Sequence, residues 1–84
     1  MNEERHFPSM TYDSEVDAAY VYFRKAPWDH MDIVDDCRNI DYGPDSEPNG
    51  VELLYVNDGV NLDGLPQRDV IERLLAERHI PVFA

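Results

Sequence analysis

The segment at residues 18–24 restricts the fold most, because it is apolar on both sides of an extended chain. It reads Ala-Ala-Tyr-Val-Tyr-Phe-Arg. Alternate side chains of a strand point to opposite faces, so Tyr20 and Tyr22 share one face and Val21 and Phe23 share the other. Strands of this kind are typical of the interior of a sheet, where both faces are covered.

Further strands are expected on either side of this segment. Pro8 lacks a backbone N–H, so the first of them belongs at a sheet edge or begins there. Residues 13–17, three of which are acidic, form a turn, and residues 43–50 contain only turn-forming types, including the dipeptide Asn49-Gly50. The expected strands are residues 7–12, 18–24, 31–36, 38–42 and 51–57.

The last element is a helix over residues 66–79. Proline suits a first helical turn, and Pro81 prevents continuation of the helix. An apolar stripe runs along it through Val70, Ile71, Leu74 and Leu75. The predicted fold class is α+β: a small antiparallel β-sheet of four to five strands with one C-terminal helix packed on one face.

The 84 residues are expected to form a single domain, at a net stability of roughly 3–5 kcal/mol. Within residues 1–84, we expect residues 1–6 to be disordered, residues 7–57 to form the sheet, residues 66–79 the helix and residues 80–84 an extended tail. Cys37 is the single cysteine, and no apolar stretch suggests a signal peptide or a membrane span. A cytoplasmic location is the expectation.

The net charge of -11, from 18 acidic and 7 basic residues, disfavours direct binding of nucleic acid or an anionic membrane. It favours a basic protein partner, because opposite fields speed encounter. The alternative is an acidic surface that only keeps the chain in solution.

A helix of about 14 residues spans ~20 Å and covers one sheet face. Tyrosine combines an apolar ring with a polar hydroxyl, which suits a face that is exposed to water in the free protein and buried in a complex. We therefore predict a tyrosine-bearing face available to another protein, with Tyr20, Tyr22, Tyr55 and Trp28 as contact residues. The alternatives are that long charged side chains and the N-terminal arm cover this face within one molecule, and that Trp28 fills one end of the core.

The carboxylates allow a second hypothesis, a divalent-metal-binding protein or small metal-dependent enzyme. Asp41 and Glu52 are expected on neighbouring strands, where paired carboxylates hold metal or transfer protons. The 13–17 turn resembles the start of a calcium loop, but Ala18 and Arg24 stand where such a loop needs glycine and glutamate. We therefore assign no catalytic residue, metal ligand or cofactor.

Two motifs give the chain a family resemblance. Residues 12–21 read Tyr-Asp-Ser-Glu-Val-Asp-Ala-Ala-Tyr-Val, and Asp41-Tyr42 is followed by Gly50-Val51-Glu52-Leu53-Leu54. Over residues 10–57 the chain resembles domain-of-unknown-function family 2283, which pairs Tyr-Asp-x-Glu-x-Asp-Ala-x-Tyr-Ile with a later Asp-Tyr-Asp and Gly-x-Gly-Ile-Glu-Ile-Leu. Gly43-Pro44 and a longer turn before Gly50 depart from that pattern. The matching residues are Tyr12, Asp13, Glu15, Asp17, Ala18, Tyr20, Asp41, Tyr42, Gly50 and Glu52.

The resemblance implies a small antiparallel sheet domain and no assigned enzymatic activity. Some members of the family look like antitoxins paired with a small ribonuclease-like toxin. The function expected is a non-catalytic protein-binding module, such as an antitoxin with a basic, toxin-like partner, or a homodimer.

Overall fold

The structure, a computed structural model, describes residues 6–83 and has seven strands and one α-helix in this part of the chain. The prediction of disorder at residues 1–6 therefore falls outside the described residues except at His6. In chain order the elements are β1 Ser9–Asp13, β2 Ala18–Tyr22, β3 His30–Asp35, β4 Arg38–Tyr42, β5 Pro48–Leu54, the 3-10 helix Val56–Asp58, β6 Val60–Asn61, α1 Arg68–Glu77 and β7 Val82–Phe83.

The first five strands form one sheet in the order β1-β2-β5-β4-β3, with every neighbouring pair antiparallel. β2 lies inside the sheet, as its two apolar faces predict, and β1, which follows Pro8, lies at an edge. The predicted α+β class, with a small antiparallel sheet and one C-terminal helix, is confirmed. β5 is the central strand of the sheet, and it pairs with β2 on one side and with β4 on the other.

The hydrophobic core lies on one face of the sheet. Val21, Ile40 and Val51 pair across β2, β5 and β4, and all three are buried on that face. α1 and the connecting segments close the core from the other side. They contribute the buried residues Val56, Val60, Leu62, Leu65, Ile71, Leu74, Leu75 and Ile80.

α1 is shorter than the predicted helix over residues 66–79. It starts at Arg68 because Gln67 has a left-handed backbone, with φ of 52°. At its C-terminal end, His79 also has a left-handed backbone, and Ile80 N–H donates to the Leu75 carbonyl. This arrangement is a Schellman motif, which ends a helix. No helix within residues 6–83 is long and apolar enough to cross a membrane.

β5 also differs from the expected strand over residues 51–57. It begins at Pro48, three residues earlier, and ends at Leu54. Tyr55 ends it because its φ of 56° turns the backbone out of the extended conformation and into the 3-10 helix. Tyr55 is therefore outside the strand.

The C-terminal residues form a second, two-stranded sheet with the segment that precedes α1. β7 pairs in parallel with β6, and Arg38 of β4 donates both to β6 and, through the Asp63 carbonyl, to the segment that follows it. The buried Arg38 guanidinium donates to the Asn61 carbonyl at 2.9 Å and to Asp35 Oδ2 at 2.9 Å. A buried arginine thus holds the connector against the β3–β4 hairpin.

Candidate functional site

We use the name open face for the sheet surface that points away from α1. Directly paired residues of antiparallel strands share a face, so the register assigns its side chains. One row across it consists of Thr11, Tyr20, Glu52, Asn39 and Ile33. The next row consists of Ser9, Tyr22, Gly50, Asp41 and Met31. Neither row contains lysine or arginine.

The Tyr20 side chain crosses the central strand to reach Asp41. Its hydroxyl donates to Asp41 Oδ2 at 2.5 Å, and the ring passes over Gly50. A Cβ on Gly50 would lie 2.7 Å from Tyr20 Cε1 and 2.4 Å from the Val21 carbonyl oxygen. Glycine at position 50 is therefore required for this crossing. Burial and, secondly, the hydrogen bond to Asp41 raise the pKa of Tyr20 well above its usual value.

Trp28 reaches the same carboxylate from the loop before β3. Its indole Nε1 donates to Asp41 Oδ1 at 3.2 Å, while 63% of the residue stays exposed. The Tyr20 and Tyr22 rings pack with centroids 4.5 Å apart. The structure thus brings three of the predicted contact residues together around Asp41. Tyr55 lies one residue beyond β5, 58% exposed.

Glu52 is on the strand next to that of Asp41, as the sequence predicts, and the register places both acids on the open face. The two acids are diagonal rather than opposite, because Asp41 pairs with Gly50 and Glu52 pairs with Asn39. Asn39 Nδ2 donates to Glu52 Oε1 at 3.0 Å. No group of three or more histidine, cysteine or acidic side chains among residues 6–83 is arranged to hold a metal ion, so the metal hypothesis gains no support.

Two exposed apolar side chains form the rim of the open face on β3. Ile33 is 70% exposed and Met31 is 44% exposed. We did not predict them as contact residues, although their alternation with Asp32 along β3 is the signal that places them on one face. They extend the aromatic surface of Tyr22 and Trp28 to the sheet edge.

The first half of the sequence motif has a structural role at the other end of the sheet. The Tyr12 hydroxyl donates to Asp17 Oδ1 at 2.9 Å, and this bond raises the pKa of Tyr12. Asp17 also accepts the Asn57 N–H at 3.1 Å, and Asp13 accepts the Glu15 N–H at 3.0 Å. The Asp17 bond ties the β1–β2 turn to the segment after β5, and the Asp13 bond stays within the turn.

The two remaining motif residues lie apart from both groups. Ala18 is opposite Leu54 on the open face. Tyr42 packs against the core, and its ring stacks on His30 with centroids 5.0 Å apart. Both contribute to packing in the sheet.

Arg24 fixes the long turn that precedes Gly50. Its guanidinium makes two parallel bonds to the Asp45 carboxylate, at 2.8 Å and 2.7 Å, and its Nε donates to Asn49 Oδ1 at 2.9 Å. The Arg24 hydrogen bonds hold the pKa of Asp45 well below its usual range. The turn that differs from the family pattern is thereby held in one conformation.

These features define a small α+β domain with one sheet face away from its helix. The family model described as "Protein of unknown function (DUF2283)" matches residues 9–57, which is more than half of the chain. The chain belongs to this family, and the match covers β1 to β5. No curated protein and no solved structure matches the chain.

Proposed function

We propose that this chain is a non-catalytic protein-binding module whose open face docks on a basic surface of a partner protein. One observation carries the proposal: aromatic, acidic and exposed apolar side chains lie together on the sheet face away from α1, with no basic residue in its rows.

The composition of the open face suits an interface. Protein interfaces are enriched in tyrosine, tryptophan and methionine, and aromatic anchors carry much of the binding energy. Trp28, Met31 and Ile33 each expose apolar surface that a partner would remove from water. A net charge of -11 adds long-range attraction for a basic protein.

The same charge argues against a homodimer formed through this face. In a two-fold dimer the same patch occurs on both subunits, so a patch that holds Asp41 and Glu52 and no basic residue in its rows would face itself. Like charges at an interface are unfavourable. A basic partner has no such repulsion, and an antitoxin that covers a basic toxin is the role that fits both this surface and the family resemblance.

The test is co-purification of the tagged chain with the product of the adjacent gene. We expect the wild type and a Glu72→Lys control on α1 to retain a basic partner, and Glu52→Lys on the open face to lose it. Circular dichroism checks that both variants fold. A wild-type chain that stays monomeric and retains no basic protein would contradict the proposal. So would a dimer of the chain alone that Glu52→Lys dissociates.

A further inference from the structure

We infer that the open face takes an arginine side chain from the partner, with its guanidinium beside Asp41 and Glu52 and against the surrounding aromatic rings. This inference rests on the proposed function and specifies the chemistry of the partner. It is carried by the juxtaposition of an oriented carboxylate, a second acid and three aromatic side chains.

The Asp41 carboxylate is held in one orientation and still has accepting capacity. Trp28 Nε1 donates to one of its oxygens and the Tyr20 hydroxyl to the other. Each carboxylate oxygen can accept two hydrogen bonds, so one accepting direction remains on each. Two parallel N–H groups of a guanidinium match that pair of oxygens. Because Asp41 is already oriented, binding would not need to immobilise it.

The aromatic rings favour arginine over lysine. Tyr22 packs beside Tyr20 with an interplanar angle of 52°, and Trp28 is largely exposed. A planar guanidinium stacks on such rings while donating in its own plane, whereas an ammonium is a compact, strongly hydrated charge. Glu52, on the strand next to Asp41, supplies a second negative charge.

Within residues 6–83, neither row of the open face supplies a cation to this site. Arg24 follows β2, but its guanidinium is bound by Asp45 and Asn49 in the 43–50 turn. Among the described residues, Asp41 and Glu52 accept hydrogen bonds from the neutral donors Tyr20, Trp28 and Asn39.

Peptide titration of the full chain tests the inference, with Trp28, the single tryptophan, as the fluorescent reporter. The probes are short glycine-flanked peptides that carry either two arginines or two lysines. We expect saturable binding of the arginine peptide at low salt, about fivefold tighter than the lysine peptide. Amide chemical shifts should move at Asp41, Tyr22 and Glu52.

Variants separate the site from general charge attraction. Asp41→Asn and Tyr22→Leu should remove the preference for arginine, and Glu72→Gln, which removes one negative charge on α1, should leave it intact. Equal binding of the two peptides, or equal loss in Glu72→Gln and Asp41→Asn, would overturn the inference. The co-purification result would still stand in that case, because it depends on the open face and not on arginine.

Discussion

At the scale of single residues, Gly50 is the position on which the open face depends. A side chain there would collide with the Val21 carbonyl oxygen and with the Tyr20 ring. The Val21 backbone cannot move away without disturbing the pairing of β2 with β5. We therefore predict that Gly50→Ala lowers the free energy of unfolding by about 1–3 kcal/mol. Urea denaturation measures this loss.

The same substitution should also displace the Tyr20 hydroxyl from Asp41, which NMR signals of the Tyr20 ring and Trp28 fluorescence would report. Gly64→Ala is the control. Its Cβ meets no atom within 4 Å, but its φ of 79° makes alanine strained. It should lower stability without moving Tyr20 or Trp28. Unchanged stability together with an unmoved Tyr20 in Gly50→Ala would contradict the prediction.

The sequence predicts that Tyr20 and Tyr22 share a face but not what they contact. Tyr20 and Tyr22 share a face because of the two-residue period of a strand, and this follows from local sequence. The bond from Tyr20 to Asp41 needs β5 to lie between β2 and β4, with glycine at the crossing. That order is set by pairing between distant segments. No local pattern encodes it, and whether these residues bind a partner stays a prediction.

At the scale of elements, the local sequence pattern fails to predict where some strands begin and end. Period and turn residues locate the five strands of the sheet and α1. They miss the start of β5 at Pro48 and its end at Leu54, because Tyr55, a good strand residue, adopts a left-handed backbone. The two-residue strands β6 and β7 are too short to show any period. They form because the chain after α1 returns as β7 and pairs with β6.

His79 provides the test at this scale. It occupies the left-handed position of the Schellman motif after α1, with φ of 59°, where glycine is usual. We predict that His79→Gly raises the free energy of unfolding by roughly 0.5–1 kcal/mol, because relief of the backbone strain exceeds the added freedom of the unfolded chain. Thermal and urea denaturation measure the gain.

Arg78→Gly serves as the matched control for His79→Gly. The backbone of Arg78, one residue earlier, has φ of -106°, so glycine relieves no strain there and should lower stability. Destabilisation by His79→Gly as large as that by Arg78→Gly would contradict the role assigned to the left-handed residue.

At the scale of the whole molecule, the two faces of the sheet differ in burial: one is covered by the core and the other is exposed. The covered face holds the apolar core and accounts for folding, with Val21, Val51 and Leu75 fully buried. The open face contributes hydrogen bonds among neutral donors and acids, and leaves Trp28 and Ile33 in contact with water. A chain with a charge of -11 tolerates this exposure because self-repulsion opposes association between copies.

Two groups with opposite pKa shifts make the stability of the fold depend on pH at its two extremes. The pKa of Asp45 is lowered in the fold, so its contribution is present above the unfolded value of about 3.9 and is lost as pH falls through the folded value. The pKa of Tyr20 is raised, so its contribution is complete below about 10 and is lost as pH rises through the folded value. Stability should therefore decline at both extremes.

Difference measurements isolate each group from the overall charge. The gap in unfolding free energy between wild type and Asp45→Asn should be constant above about pH 5 and shrink as pH falls below about 4. The gap between wild type and Tyr20→Phe should be constant up to about pH 9 and shrink above about 10. Urea denaturation across pH gives both curves, with Glu72→Gln as the reference for loss of one exposed acid. A gap for Asp45→Asn or Tyr20→Phe that does not change with pH would refute the link between these bonds and stability.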